Sequence, residues 1–297
     1  MANLRDIRNR ISSIENTQQI TKAMKMVAAA KLRKAQQRML ATRPYANKIQ
    51  SVVGRLVDGS GSDNVLLRQP ESTERVLMIV IGSDRGLCGA FNNNLFKVVE
   101  EKIRTKYAEF HEEGNLDIIT VGRKADAYFK KRKYNVTGSN VGFFDKLNYE
   151  STAEIMENAI AWFSDGSYDK VVLAYNEFKS VIAQNRLVDE VLPIQPDKIA
   201  GDNEEPDSGN GDYLFEPDTE TILRDILPAH LNMQLWRAVL ESNASEQGAR
   251  MAAMDNATEN AKELERELRL EYNQARQSAI TTEISEIVSG AAALEDA

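Results

Sequence analysis

The residues best suited to chemistry lie in one stretch, Gly82-Ser-Asp-Arg-Gly-Leu-Cys-Gly89. Three glycines in a strand-to-helix turn leave backbone N–H groups bare, and such groups at a helix start can hold a phosphate. The stretch fits neither G-x-x-x-x-G-K-[ST] nor G-x-G-x-x-G, and it lacks the lysine that reaches terminal phosphates. A tight structural turn is the plainer reading. Cys88 is the single cysteine of the chain. It sits near a helix start, where a thiol can be activated, but no histidine is close in sequence, so a buried structural cysteine is expected. One cysteine excludes an internal disulfide framework and a cysteine-rich zinc site. Two histidines, His111 and His230, are too few for a histidine-built metal centre. Glu112-Glu113 and Glu204-Glu205 pair carboxylates on surface turns, where solvation accounts for them without acid–base work.

These residues need elements to position them, and hydrophobic spacing supplies the elements. Residues 3–56 read as one helix. Leu4, Ile7, Ile11, Ile14, Met24, Ala28, Leu32, Ala35 and Met39 recur at alternating intervals of three and four, and the polar gap at Gln18 and Thr21 keeps the register. Pro44 is expected to kink this helix or mark a junction. The middle of the chain changes character. Strands are expected at 75–81, 116–121, 134–137 and 170–175, with helices at 92–110, 123–133 and 152–163. An extended pair at 178–182 and 187–194 would be joined by Gln184-Asn185. Strands alternating with helices imply an open, largely parallel, Rossmann-like α/β sheet with an antiparallel pair at its edge. Residues 200–212 are polar and rich in Gly and Pro, which suits a surface loop. Asp218 or Thr219 can cap a last helix that Pro228 interrupts early. From His230 to about Ile287 no proline occurs, and the spacing of Leu231, Leu235, Ala238, Met251, Met254, Ala257, Ala261, Leu264, Leu268, Tyr272 and Ala275 implies one very long helix.

The chain has 297 residues, 42% of them hydrophobic, enough for one large or two small domains. At ~1.5 Å per residue each terminal helix spans ~80 Å, and neither can bury its stripe against so small a central domain. They must pair with each other. Because they come from opposite chain ends, the coiled coil should be antiparallel. The expected divisions are residues 1–57 for the N-terminal helix, 75–195 for the α/β domain and 213–290 for the C-terminal helix.

The net charge of −8 conceals an asymmetry. Residues 1–55 hold 12 Lys/Arg against Asp6 and Glu15, whereas residues 241–297 hold 5 basic and 12 acidic side chains. The two arms could attract each other, or the basic one could meet an acidic partner or nucleic acid. Its first aromatic is Tyr45, so single-strand stacking is unsupported. The longest apolar run, Val76-Leu-Met-Ile-Val-Ile81, falls far short of the ~20 residues needed to cross a bilayer, and residues 1–6 lack the pattern of a secretory signal.

Four segments carry a family resemblance. The opening from Ile14 to Lys34, ENTQQITKAMKMVAAAKLR at its centre, resembles the start of the gamma subunit of the F-type ATP synthase. So do the stretch at 83–89 and Ser245-Glu-Gln-Gly-Ala-Arg-Met-Ala-Ala-Met254. The segment 280–293 fits the family signature [IV]-T-x-E-x(2)-[DE]-x(3)-G-A-x-[SAKR] at every fixed place. The resemblance covers essentially the whole chain, in order. It implies a non-catalytic central-stalk rotor without a cofactor. Such a rotor turns inside a ring of alpha and beta subunits and stands on the epsilon subunit and the c ring. It is not inserted in the membrane and binds no nucleic acid, and its rotation drives the catalytic beta sites through ATP synthesis. The resemblance also assigns residues. Arg250, with Glu246 and Gln247, would contact an acidic loop of beta, with Met24 and Lys25 on the facing helix beside them. Arg276, Gln277 and Thr281 would contact another beta loop, and Glu283 and Glu286 belong to the signature. Tyr213 and Glu216 would face epsilon and the c ring. The plant-chloroplast form carries a regulatory cysteine pair in the region of 198–212; no cysteine stands here, so thiol regulation is not expected. A bacterial protein on the cytoplasmic side of the inner membrane is implied. Two alternatives stay open: a nucleotide-binding α/β enzyme with helical arms, resting on the 82–89 turn, and a coiled-coil scaffold for nucleic acid, resting on the basic arm.

Overall fold

The computed structural model describes residues 4–59, 64–70, 72–195, 216 and 218–295. The chain forms two compact units, one of Met1–Ala28 with Met251–Ala297 and one of Ala29–Arg250. Helix α1 (Leu4–Gly59) and the last helix, α6 (Thr219–Glu295), contribute to both. Between them come β1 (Val76–Ile81), α2 (Phe91–Lys106), α3 (Ala108–Glu112), β2 (Leu116–Val121), α4 (Arg123–Lys131), β3 (Asn135–Asn140), α5 (Tyr149–Ser164), β4 (Lys170–Phe178) and β5 (Gln184–Leu192).

In the larger unit five strands form one sheet in the order β3-β2-β1-β4-β5. The first four run parallel and β5 runs antiparallel to β4. The period-2 pleat sends alternate side chains of β1 to opposite faces. Leu77, Ile79 and Ile81 join α5, the end of α1 and the start of α6 in one core, while Val76, Met78 and Val80 join α2 and α4 in the other. Both faces are covered, which is why β1 and β2 are continuous apolar runs buried at every position. A three-layer α/β fold follows, as the spacing implied.

In the smaller unit the first part of α1 pairs with the second part of α6. Arg8 donates to Tyr272 (2.7 Å), Arg269 meets Glu15 (2.6 Å), Thr21 shares a hydrogen bond with Thr258 (2.8 Å) and Lys25 meets Asp255 (2.5 Å). Partner numbers fall as α1 numbers rise, so the pair is antiparallel. The polar gap at Thr21 is filled by another hydroxyl, and Thr258 also donates to the Met254 carbonyl (2.7 Å), so both buried groups are satisfied. Ile7, Ala28, Met254, Ala261 and Leu268 are buried as the stripe predicted, but Leu264 is exposed.

Several expectations need correction. Residues 178–182 are not a strand and Gln184-Asn185 is not the turn. β4 runs on to Phe178, Gln184 and Asn185 pair with Phe178 and Glu177, and the turn lies at 179–183. Ser180 makes it: its backbone N–H reaches the Ala183 carbonyl (2.9 Å) and its hydroxyl accepts from the N–H groups of Ile182 and Ala183. The apolar Val181-Ile182-Ala183 run imitates a strand, yet Ile182 is 90% exposed. The helix expected at 92–110 breaks at Tyr107, a buried residue whose hydroxyl donates to Glu190 (2.9 Å). Pro228 does not interrupt α6. The lost hydrogen bond at Pro228 is outweighed by a face of Leu223, Leu227, Leu231 and Leu235, all 0% exposed. Asp218 caps α6, accepting from the Thr221 N–H (2.8 Å). The loop at 200–212, Glu204-Glu205 and Tyr213 lie outside the described residues.

Candidate functional site

The 82–89 turn leaves β1 at the carboxyl edge of the sheet and is held from within. Asn92, in the first turn of α2, accepts from the Ser83 N–H (3.0 Å) and donates to the Ser83 hydroxyl (2.8 Å) and the Cys88 sulfur (3.4 Å). Asp84 is 7% exposed, and its carboxylate gathers three backbone donors: Arg123 (3.0 Å) and Gly142 (2.7 Å) on Oδ1, and Phe144 (2.9 Å) on Oδ2. One side chain thereby staples the ends of β1, β2 and β3 together. Gly82 is small because a Cβ there would come within 3.0 Å of the Ala125 Cβ and 3.1 Å of Phe96. Cys88 is buried, and burial pushes its thiol above the usual range. Leu87 stands out with a positive φ of 61° and 64% exposure.

Of the residues singled out in sequence, Glu246, Gln247 and Arg250 come to this turn's side of the larger unit. Arg250 and Glu246 form an i,i+4 ion pair of 2.7 Å, with side chains only 11% and 5% exposed. The same Arg250 nitrogen donates to the carbonyls of Arg85 (3.2 Å) and Gly86 (3.1 Å). Burial holds the Glu246 carboxyl above the usual carboxylate range, against the opposing pull of Arg250. Gln247 is 7% exposed. The turn therefore presents two carbonyls to α6. That polarity accepts a guanidinium.

The other candidates lie elsewhere. Met24 is half-buried and Lys25 pairs with Asp255 in the smaller unit. Arg276, Gln277, Thr281, Glu283 and Glu286 are all exposed along α6, where the Thr281 hydroxyl donates to the Gln277 carbonyl (2.9 Å). Glu216 is exposed. Glu112 and Glu113 are exposed as well, as solvation required. No group of three or more His, Cys, Asp or Glu among the described residues is arranged to hold a metal ion.

Sequence reasoning missed the roles of Asp84 and Asn92. Both sit in or beside the glycine-rich stretch, and a polar residue flanking such a turn was the available signal. Asp117 was missed too. It is 1% exposed within β2, and Arg75 (3.1 Å), the Tyr168 hydroxyl (2.5 Å) and Asn135 hold its carboxylate. A single aspartate inside an apolar strand run marks such a site.

Residues 3–294 match the family model described as ATP synthase. Among curated relatives, the ATP synthase gamma chain of Prosthecochloris aestuarii is 49% identical over 296 residues, covering 99% of both chains. That of Salinibacter ruber is 48% identical, covering 100% of this chain and 99% of the relative. Among solved structures, a chain of the Tetrahymena thermophila mitochondrial ATP synthase central stalk and c-ring is 26% identical with a TM-score of 0.60. The match covers 80% of this chain and 99% of that one. A chain from the Euglena gracilis mitochondrial ATP synthase rotor shares the fold, with a TM-score of 0.66 at 24% identity over 93% of this chain and 98% of that one.

Proposed function

The chain belongs to the ATP synthase gamma-chain family, and from that premise we propose that it is the central rotor shaft of an F-type ATP synthase. It couples ion-driven rotation of the c ring to the conformational cycle of the catalytic beta subunits, and runs in reverse when ATP is hydrolysed. It is a non-catalytic subunit. The rotor angle biases which conformation of each beta site is lowest in free energy. The observation that carries this reading is the full-length match to gamma chains, joined by the antiparallel pairing of the two terminal helices. The full-length match to gamma chains leaves the enzyme alternative without support.

The partners are the alpha and beta subunits, the epsilon subunit and the c ring. Met24, Lys25, Glu246, Gln247, Arg250, Arg276, Gln277, Thr281 and Glu283 are assigned to the alpha/beta ring, and Tyr213 and Glu216 to epsilon and the c ring. Exposure of Arg276, Gln277, Thr281 and Glu283 along one helix supports the first assignment. We keep residues 1–57, 75–195 and 213–290 as the functional divisions: shaft strand, globular domain and second shaft strand. The protein is a peripheral component, and no helix among the described residues is long and apolar enough to cross a membrane. The finer placement, on the cytoplasmic face of a bacterial inner membrane, rests on the bacterial origin of the curated relatives.

The test is reconstitution with alpha and beta subunits and observation of a bead fixed to the α/β domain during ATP hydrolysis. Stepwise rotation in one direction is expected. ATP turnover by the isolated chain, with no assembly, would overturn the reading.

A further inference from the structure

Open α/β sheets hold their ligands in the crevice beyond the carboxyl ends of the strands, where the strand order reverses. In the order β3-β2-β1-β4-β5 that point lies between β1 and β4. One turn of α6 meets both of its walls. On the β1 side, Arg250 donates to the Arg85 and Gly86 carbonyls at 3.2 and 3.1 Å. On the β4 side, the Ser245 hydroxyl donates to the Asn176 carbonyl at 3.2 Å. The β5 side chain of Gln184 donates to the Ser245 carbonyl at 3.3 Å. The hairpin packs on this turn at Gly248, where a Cβ would stand at ordinary contact distance from the Val181 carbonyl, 3.4 Å.

We propose that residues 245–250 are the built-in occupant of this crevice, an intramolecular clamp in which the Arg250 guanidinium takes the place a bound ligand would have. The clamp makes the turn after β1, the end of β4 and α6 move as one body. The chemistry is matched on both sides. Two convergent carbonyls select a cationic donor, and Glu246, beneath it on the same helix face, meets the same Arg250 nitrogen at 2.7 Å and fixes its direction. Both side chains are largely withdrawn from water, so the pair cannot be exchanged cheaply for hydration. On the rotor reading, on which this consequence rests, the clamp is the torsional joint between the sheet and the shaft helix. Torque received by the globular domain reaches α6 through it rather than through connecting loops alone.

The chain's single thiol reports on the clamp. Cys88 lies in the clamped turn, 2% exposed, and hydrogen-bonded to Asn92. Labelling of the isolated full-length chain with an aromatic disulfide reagent, at a denaturant concentration where circular dichroism shows it folded, should be slow. Arg250→Ala should speed it at least tenfold. Arg250→Lys, which keeps the charge on a side chain one bond shorter and so reaches the two carbonyls less well, should fall between. If Arg250→Ala does not fold, Arg250→Lys carries the decision. Labelling of the folded variant at the wild-type rate would overturn the clamp. The bead experiment separates the two readings. Rotation without any change in Cys88 labelling would sink the clamp alone. Faster labelling in the variant, with no rotation by the wild type, would sink the rotor reading and leave the clamp.

Discussion

His230 lines a cavity of about 540 Å³ together with Tyr175, Glu177, Asp189, Glu190, Met233 and Arg237. Burial alone depresses its pKa to about 4, so the fold holds it neutral. In the unfolded chain the imidazole titrates near 6.5. The folded pKa lies below the unfolded one, so the contribution to stability is complete above pH 6.5 and drains away as pH falls toward 4. The full loss is about 3 kcal/mol at most. Urea unfolding at pH 7.5, 6 and 5 should show a steeper decline for the wild type than for His230→Gln, and parallel declines would contradict it. Arg250 shows what a residue's type does not reveal. Its charge and its neighbour Glu246 were legible, and the family resemblance assigned it outward to a beta loop. The partners it takes within the chain, the carbonyls of Arg85 and Gly86, are far away in sequence. No local pattern names a backbone acceptor.

At the scale of elements, α6 carries a glycine inside a helix, at Gly248, where helix propensity alone favours alanine by about 1 kcal/mol. A Cβ at this position would lie 3.4 Å from the Val181 carbonyl and 3.7 Å from Phe178, ordinary contact distances. Gly248→Ala should therefore stabilise the chain by about 0.5–1 kcal/mol, whereas Gly248→Leu should destabilise it by driving the 179–183 turn off α6. Urea midpoints decide the matter, and a destabilised alanine variant would mean the hairpin cannot yield at all. The strands β1 and β2 and the long stripes of α1 and α6 were readable because each repeats one period over many residues. The β4–β5 turn was misplaced because Val181-Ile182-Ala183 has strand composition, and only the pairing of Gln184 with Phe178 shows where the ladder begins. Pro228 misled for a related reason: its local penalty is real, but four fully buried leucines on either side of it outweigh the penalty.

Across the whole molecule, the opposed charges of the two chain ends invite the view that attraction holds them together. The ion pairs within the smaller unit argue otherwise. Lys25–Asp255 and Glu15–Arg269 have side chains 40–57% exposed, and pairs of that kind contribute little and are screened by salt. The buried stripe of Ile7, Ala28, Met254, Ala261 and Leu268 is the stronger term. The urea midpoint in 1 M NaCl should therefore stay within about 0.5 M of its value in 0.1 M; a larger fall would make electrostatic attraction the dominant force. By itself the sequence determined the helical stripes, the parallel strand segments, their alternation and the family, because these are periodic or contiguous patterns read within a short window. Tertiary structure alone decided that Asp84 would staple three strand ends, that Thr21 would find Thr258, and that one turn of α6 would fill the crevice between β1 and β4. Those outcomes depend on strand order and on which face each helix covers, and both are set by burial summed over the whole core rather than by any local run of residues.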